Sequence, residues 1–115
     1  MPETGGRSSL GMQENTAALL AYLFGWVSGL IIFLIERKSP YVRFHALQSL
    51  ITFGALSLII SIFSRIPVVG VLIAVAGGIA SFVFWILGMV KAYAGELYRF
   101  PIVGDIAAGQ IKPLE

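Results

Sequence analysis

The sequence predicts an all-α integral membrane protein with three transmembrane helices, and three observations carry this prediction. Apolar residue types make up 57% of the 115 residues and charged types only 12%, about half the charged share of an average soluble domain. The mean hydropathy is +0.89. Three uncharged runs, at residues 17–35, 46–64 and 66–90, are each long enough to cross or nearly cross the hydrocarbon core of a bilayer as a helix.

The composition also excludes several classes of protein. A soluble chain of this length could not hide so much apolar surface, which excludes a soluble enzyme, and a disordered chain would be polar. The absence of cysteine excludes disulfides and cysteine-bound metals. One histidine and six carboxylates predict no metal or cofactor site. A net charge of +2 without a basic stretch argues against nucleic acid binding.

The chain is predicted to hold one membrane domain between two tails. Residues 1–14 are polar and contain glycine and serine, and they are interpreted as a mobile N-terminal tail. Residues 15–107 contain the three spans and a short interfacial segment, and residues 108–115 form a C-terminal tail. The first span is predicted as one helix over residues 17–35.

The second and third spans are predicted to form an antiparallel hairpin. Ser39 can cap a helix and Pro40 fits its first turn, so the second helix is expected to begin there. Because the connection at residues 65–67 is so short, the third helix is expected to run back antiparallel to the second. Pro101 breaks the chain again, and residues 103–110 are expected to form a short helix on the cytoplasmic surface.

Lysine and arginine positions predict the orientation, because cytoplasmic loops carry an excess of both. With three spans, one side of the membrane holds the 36–40 turn and the C-terminus, and its basic residues are Arg37, Lys38, Arg43, Lys91, Arg99 and Lys112. The other side holds Arg7 and Arg65. We therefore expect a multi-pass protein of the inner (cytoplasmic) membrane, with the N-terminus outside and the C-terminus in the cytoplasm.

Small residues recur at the spacing of packed helices. In lipid such residues let helix backbones approach closely, so that dispersion contacts and weak hydrogen bonds hold the helices together. The predicted packing positions are Gly25 and Gly29 in the first span and Gly70, Ala74 and Gly78 in the third. They predict a compact bundle and, because three spans offer more such faces than one bundle needs, a homo-oligomer.

A stripe of polar residues marks one face of the second helix. His45, Gln48, Ser49 and Thr52 follow at helical spacing and share that face. Polar side chains at this depth are costly against lipid and should face protein or water. The stripe is interpreted as a hydrogen-bonded clamp between helices; the alternative is a hydrophilic vestibule in which His45 titrates near neutral pH.

Charged residues are predicted to gather at the cytoplasmic interface, where Glu36, Arg43, Lys91 and Glu96 would form a rim. A salt-bridged rim of this kind contributes little to stability, and the alternative is a docking surface for a soluble or peripheral partner. Residues 65–70 and 99–104 also share one pattern, an arginine followed by proline and glycine at fixed offsets. The pattern is interpreted as an ordinary interfacial turn; a paired lipid- or partner-binding turn is the alternative.

Four motifs resemble those of a known family: NTAALLAYLFG at residues 15–25, VRFHALQSL at 42–50, KAYAGE at 91–96 and FPIVGDIA at 100–107. The chain resembles a family of small bacterial and archaeal multi-spanning membrane proteins. That family is similar to the chloroplast Tic import subunit of about twenty kilodaltons, and it includes the magnetosome membrane proteins MamF and MmsF. The resemblance implies a self-associating α-helical protein that organises a membrane and its proteins, and it supplies no catalytic residues.

The function predicted from these features is that of a non-enzymatic membrane scaffold or assembly factor, which acts through helix contacts and the cytoplasmic rim. The alternative is an oligomeric pore lined by the polar stripe, which would have to be wet and to face the oligomer axis. No charged residue lies within the spans, and this argues against an ion-coupled transporter. Partners are expected to be the lipid bilayer, further copies of the chain and a membrane or cytoplasmic protein.

Overall fold

The computed structural model describes residues 11–111. These contain five helices: α1 (Glu14–Leu23), α2 (Trp26–Ile35), α3 (Pro40–Phe63), α4 (Val69–Tyr93) and α5 (Val103–Gln110). The all-α prediction is confirmed for this part of the chain, where α3 and α4 are the two helices long and apolar enough to cross a membrane. The predicted tails fall largely on residues 1–10 and 112–115, which lie outside the described residues.

The two long helices form the antiparallel pair that the sequence predicts. The Ser39 hydroxyl accepts the backbone N–H of Val42 at 3.1 Å, with Pro40 in the first turn of α3, as expected for a capped helix start. At the other end, residues 64–68 turn the chain into α4. Gly77 of α4 lies against Ile60 of α3, where a Cβ would come within 2.8 Å of the isoleucine side chain.

The predicted continuous helix over residues 17–35 is not formed. The chain breaks at Phe24 and Gly25, and it gives two helices of ten residues each. Gly25 has φ +62° and ψ −131°, a conformation that side-chain-bearing residues rarely adopt. Each short helix rises about 15 Å, which is half of the hydrocarbon thickness, so neither helix can cross alone.

The two short helices run antiparallel to each other along α3. Glu14, which opens α1, accepts a hydrogen bond from the Ser39 hydroxyl at the start of α3. The turn between the helices lies deeper, because the Ser49 hydroxyl donates to the Gly25 carbonyl at 2.9 Å. At the end of α2, the Phe33 carbonyl accepts from Arg43 at 3.1 Å. The start of α1 and the 36–40 turn therefore lie at the same end of the molecule, not at opposite ends as predicted.

Side chains satisfy the polar backbone groups exposed by this break. The Ser28 hydroxyl accepts the Phe24 N–H at 3.0 Å and donates to the Ala21 carbonyl at 3.0 Å. The indole N–H of Trp85 on α4 donates to the Leu23 carbonyl at 3.1 Å. In lipid, an interrupted helix is tolerated only where protein groups take up its freed hydrogen bonds. These contacts meet that condition for the α1–α2 hairpin.

Buried residues gather in one half of an elongated molecule, whose principal extents are 49 × 23 × 21 Å. We call residues 54–82 the far half, and all other described residues, which include α1, α2 and α5, the near half. Apart from Gly70 at the tip, every buried residue among the described ones belongs to the near half. The far half consists of the two long helices alone.

The segment after α4 turns back into the near half before α5 begins. Residues 96–100 are not helical, yet the Phe100 side chain is buried and its ring lies 4.8 Å from that of Phe84 on α4. The predicted short helix is confirmed as α5. Its Ala107 and Ala108, with Ile111 just after the helix, pack against Phe44 and Leu47 of α3. Residues 108–110, predicted as tail, belong to α5, and Glu14 belongs to α1.

Candidate functional site: a buried polar network

The polar stripe lies inside the protein and faces α1 and the 94–102 segment. His45, Gln48 and Ser49 are fully buried and Thr52 is 5% exposed. Three of the four predicted residues, His45, Gln48 and Ser49, form hydrogen bonds with neighbouring elements. Thr52 Oγ1 has no hydrogen-bond partner among the described residues.

The hydroxyl of Tyr22 on α1 connects the two central residues of the stripe. It donates to Nδ1 of His45 at 2.7 Å and accepts from Nε2 of Gln48 at 2.9 Å. On its other side, Nε2 of His45 lies 2.8 Å from the carbonyl of Glu96. Because a carbonyl only accepts, Nε2 carries a proton, and in the neutral imidazole Nδ1 is then the acceptor for the Tyr22 hydroxyl.

Gln48 binds the non-helical segment after α4 through both ends of its amide. Its Nε2 donates to the Tyr98 carbonyl at 3.0 Å, and its Oε1 accepts the Phe100 N–H at 2.8 Å. Together with His45, it satisfies three backbone groups of the non-helical segment at residues 96–100. Gln48 lies about 12 Å along α3 from its start, so these backbone groups would otherwise be stranded deep in the protein.

Aromatic rings enclose His45 on three sides. The ring centroids of Tyr22, Tyr41 and Phe44 lie 5.4, 4.8 and 5.1 Å from that of the imidazole, all in edge-on arrangements. The Tyr41 hydroxyl donates to the Ala92 carbonyl at 2.5 Å. Both nitrogens of His45 are thus engaged and its ring is shielded. This arrangement fixes α1, α3, α4 and the 94–102 segment to one another.

The predicted rim residues divide into two local arrangements. Lys91 and Glu96 form an exposed ion pair at 3.4 Å. Glu36, by contrast, is fully buried and accepts the backbone N–H groups of Lys38 and Ser39 at 3.0 and 3.1 Å. Arg43 donates to the carbonyls of Phe33 and Glu36, at 3.1 and 2.6 Å, and so caps the C-terminal end of α2.

The predicted packing glycines have different surroundings. A Cβ on Gly29 would come within 2.8 Å of the Ala46 carbonyl and the Leu50 nitrogen, so α2 crosses α3 in direct backbone contact at this point. Gly25 lies beside Phe53, and Gly70 lies against the backbone of Phe63 and Ser64. Ala74 is partly buried. Gly78 has nothing within 4 Å of an added Cβ, so a single copy leaves it uncovered.

The two segments with a shared arginine–proline–glycine pattern also share one backbone conformation. Val68 has φ 66° and ψ −63°, and Ile102 has φ 66° and ψ −57°. In each, the next residue donates to the proline carbonyl at 2.7 Å, which closes a γ-turn of the strained kind. A long helix begins after the first turn and α5 begins after the second. The repeat is therefore a helix-entry turn used twice.

Sequence reasoning missed two participants in this site. Tyr22 was assigned no role, although a lone tyrosine within an apolar run places a hydroxyl that needs a partner. The backbone of residues 96–100 gave no sequence signal, since carbonyl and N–H groups are common to every residue. Among the described residues, no group of three His, Cys, Asp or Glu could hold a metal ion.

Comparison with known proteins places the chain among membrane proteins. The magnetosome magnetite crystal formation protein family, MamF/MmsF, matches residues 13–107. A UPF0132 membrane protein of Methanocaldococcus jannaschii is 50% identical over 99 residues, which cover 86% of this chain and 71% of that protein. A UPF0132 membrane protein of Archaeoglobus fulgidus is 42% identical over 100 residues, covering 87% of this chain and 97% of the relative.

A bacterial relative extends the comparison to magnetosomes. The magnetosome protein MmsF of Paramagnetospirillum magneticum is 30% identical over 103 residues, which cover 88% of this chain and 92% of that protein. No solved structure matches the chain. The resemblance to the Tic import subunit rests on the sequence motifs alone. The extent of the family match and the identity to these relatives show that this chain belongs to the MamF/MmsF family, together with the UPF0132 membrane proteins.

Proposed function

We propose that this chain is a non-enzymatic integral membrane protein that acts as a helix-packing scaffold or assembly factor. The observation that carries the proposal is that the polar stripe is used inside the molecule. The polar atoms of His45 and Gln48 form hydrogen bonds with Tyr22 and with the backbone of residues 96–100. The names of the relatives add a membrane location and, for one of them, the magnetosome; they name no reaction or substrate.

The dimensions support two membrane crossings and a half-depth hairpin instead of three crossings. The part of α3 from Arg43 to Phe63 rises about 30 Å, the thickness of the hydrocarbon core. Gly25 contacts Ser49 and Phe53, about 10–15 Å below Arg43. The α1–α2 hairpin then enters from one face, turns near the middle of the bilayer and returns to the same face.

The charge distribution supports placing the near half on the cytoplasmic side. The described residues include six lysines and arginines, and all but Arg65 lie at the near end: Arg37, Lys38, Arg43, Lys91 and Arg99. Among the described residues this is five against one, the same ratio that three spans would give for them, and cytoplasmic faces carry such an excess. In this placement the chain before α1 and the C-terminal segment are both cytoplasmic.

Uncovered small residues in the far half support self-association. Gly54, Ser57 and Ser61 line an open groove of about 380 Å³ on α3, together with Trp26 and Leu58. Gly78 of α4 is open on its own face. Small residues let a helix of a second copy approach closely, so the proposed assembly is a homo-oligomer in the membrane.

Single-cysteine accessibility tests both the placement and the function. The chain has no native cysteine, so each probe reports alone. In spheroplasts, a membrane-impermeant maleimide should label Ser64→Cys at the far tip from outside. It should label Gln13→Cys, Lys38→Cys and Gly109→Cys only after permeabilisation. Labelling of Gln13→Cys from outside together with protection of Lys38→Cys would restore the three-span topology and overturn the proposed one.

The same assay separates the scaffold from the pore. A pore lined by the stripe requires water at Gln48→Cys and Thr52→Cys, whereas a packed scaffold requires protection at both in folded protein. Thr52→Cys is the sharper probe, because Thr52 makes no hydrogen bond that the substitution would break. Rapid labelling of Thr52→Cys, together with ion conductance of the reconstituted wild type, would overturn the scaffold in favour of the pore.

A further inference from the structure

The molecule is much wider in one half of its length than in the other. Four helices run side by side in the near half, since α1 and α2 lie along α3 and α4 there. The far half contains only α3 and α4. With a helix diameter of about 10 Å, the cross-section is about 300 Å² in the near half and about 160 Å² in the far half.

The structure of the far half matches a segment that lies in lipid. Its large side chains point outward, and the strongly exposed ones include Leu58, Ile62, Val71, Leu72, Val75 and Ile79. No charged residue occurs from Gly54 until Arg65 at the tip, or from there to residue 82. Acyl chains are the partner that such a surface fits.

Because the α1–α2 hairpin reaches only half the depth of the bilayer, the difference in cross-section between the two halves becomes a difference between the two leaflets. The hairpin ends at Gly25, near the middle of the bilayer in the placement proposed above. One leaflet then accommodates four helices and the α5 segment, while the other accommodates two helices. A flat bilayer has equal leaflet areas, so each inserted molecule expands the near leaflet relative to the far one.

We infer that this protein is a leaflet-asymmetric wedge, whose preferred partner is a bilayer curved so that the near leaflet lies on the convex side. Curvature of that sign widens the near leaflet and lets far-leaflet acyl chains fill the space beneath the hairpin turn, beside Trp26 and Leu58. Recognition is by shape and not by headgroup. The inference rests on the membrane placement of the proposed function but not on self-association.

Tubes pulled outward from giant phosphatidylcholine vesicles test the inference, because their outer leaflet is convex. The full chain is reconstituted at low density, so that copies do not meet, and carries one fluorophore at Gly109→Cys (near end) or at Ser64→Cys (far tip). Gly109 has open space around an added Cβ and Ser64 is exposed. A membrane-impermeant quencher outside then leaves visible only the molecules whose label faces inward.

The two labels report the two orientations in otherwise identical samples. With Ser64→Cys the visible molecules have the near half outside, and their tube-to-flat fluorescence ratio should exceed one. With Gly109→Cys the visible molecules have the near half inside, and their ratio should fall below one. Equal ratios for the two labels would overturn the wedge, and reversed ratios would overturn its direction.

The outcome is separable from that of the proposed function. If the accessibility assay places Gln13 and Lys38 on opposite sides, the half-depth hairpin itself is wrong. If accessibility confirms the hairpin and the ratios are equal, only the wedge fails. Loss of scaffold activity or of self-association leaves the ratios of isolated copies unchanged.

Discussion

The side-chain oxygen of Gln48 accepts the backbone N–H of Phe100 at 2.8 Å, although 52 positions separate the two residues. This contact explains why a glutamine belongs on an apolar helix. Phe100 lies in a non-helical stretch, and a free N–H inside a membrane protein costs several kcal/mol. The stripe on α3 thus serves as the hydrogen-bonding partner of a non-helical segment.

Replacing Gln48 with leucine should destabilise the fold strongly. Gln48→Leu leaves the Phe100 N–H and the Tyr98 carbonyl buried without their partner, and we expect a loss of about 2–4 kcal/mol in the free energy of unfolding. Unfolding in mixed micelles, followed by circular dichroism, measures it. Thr52→Val is the control on the same face: since Thr52 Oγ1 has no partner, stability should be unchanged or raised by about 1 kcal/mol.

Removal of the Tyr22 hydroxyl should lower the free energy of unfolding by more than the loss of one hydrogen bond. Tyr22→Phe removes both the donor to His45 and the acceptor of Gln48, so we expect a loss of about 1–3 kcal/mol. Tyr93→Phe removes the same atom from a side chain that is 55% exposed and should stay within about 0.5 kcal/mol of wild type. Similar effects of the two substitutions would argue against the network.

The close crossing of α2 and α3 predicts that Gly29 tolerates no side chain. In Gly29→Ala the new Cβ meets the Ala46 carbonyl and the Leu50 nitrogen at 2.8 Å, and backbone atoms cannot rotate away as a side chain would. We expect weaker packing of the α1–α2 hairpin on α3, seen as a lower free energy of unfolding in mixed micelles. Gly109→Ala, also in a helix but in open space, should stabilise by about 0.5–1 kcal/mol.

The strained turn at Val68 predicts that a substitution to glycine there increases stability. Val68 is a β-branched residue at φ 66°, which costs about 1–3 kcal/mol. Val68→Gly removes that strain, and it should raise the free energy of unfolding by about 1 kcal/mol after the entropic cost of glycine. Val71→Gly, at a position that is also exposed but helical, should lower the free energy of unfolding by about 1 kcal/mol. A loss in both variants would contradict the strain.

Self-association is predicted to depend on Gly78. Because nothing lies within 4 Å of a Cβ at this position, Gly78→Leu should fold as wild type and keep the same unfolding curve. The apparent affinity between copies, measured by energy transfer between labelled molecules in vesicles, should nevertheless fall several-fold, since the bulky side chain holds a second helix away. Val83→Leu, on another exposed face of α4, is the matched control. Unchanged energy transfer in Gly78→Leu would show that Gly78 is not part of the contact between copies.

Much of the site could be read from residue types and spacing. The helical spacing of His45, Gln48 and Ser49 predicted that they share a face, and the cost of polar groups in lipid predicted that they face protein or water. Ser39 and Pro40 correctly predicted the start of α3. What spacing could not supply was the identity of the partners, because two of them, Tyr98 and Phe100, take part through backbone atoms.

The sequence by itself determined that the chain is helical and belongs in a membrane, since apolar content, the rarity of charge and run length act locally along the chain. Only the tertiary structure decided that residues 17–35 turn back at Gly25 instead of crossing. Apolar run length is the same for a spanning helix and for two half-length ones. The choice between them depends on whether Ser28, Ser49 and Trp85 are in place to take the hydrogen bonds that the break releases.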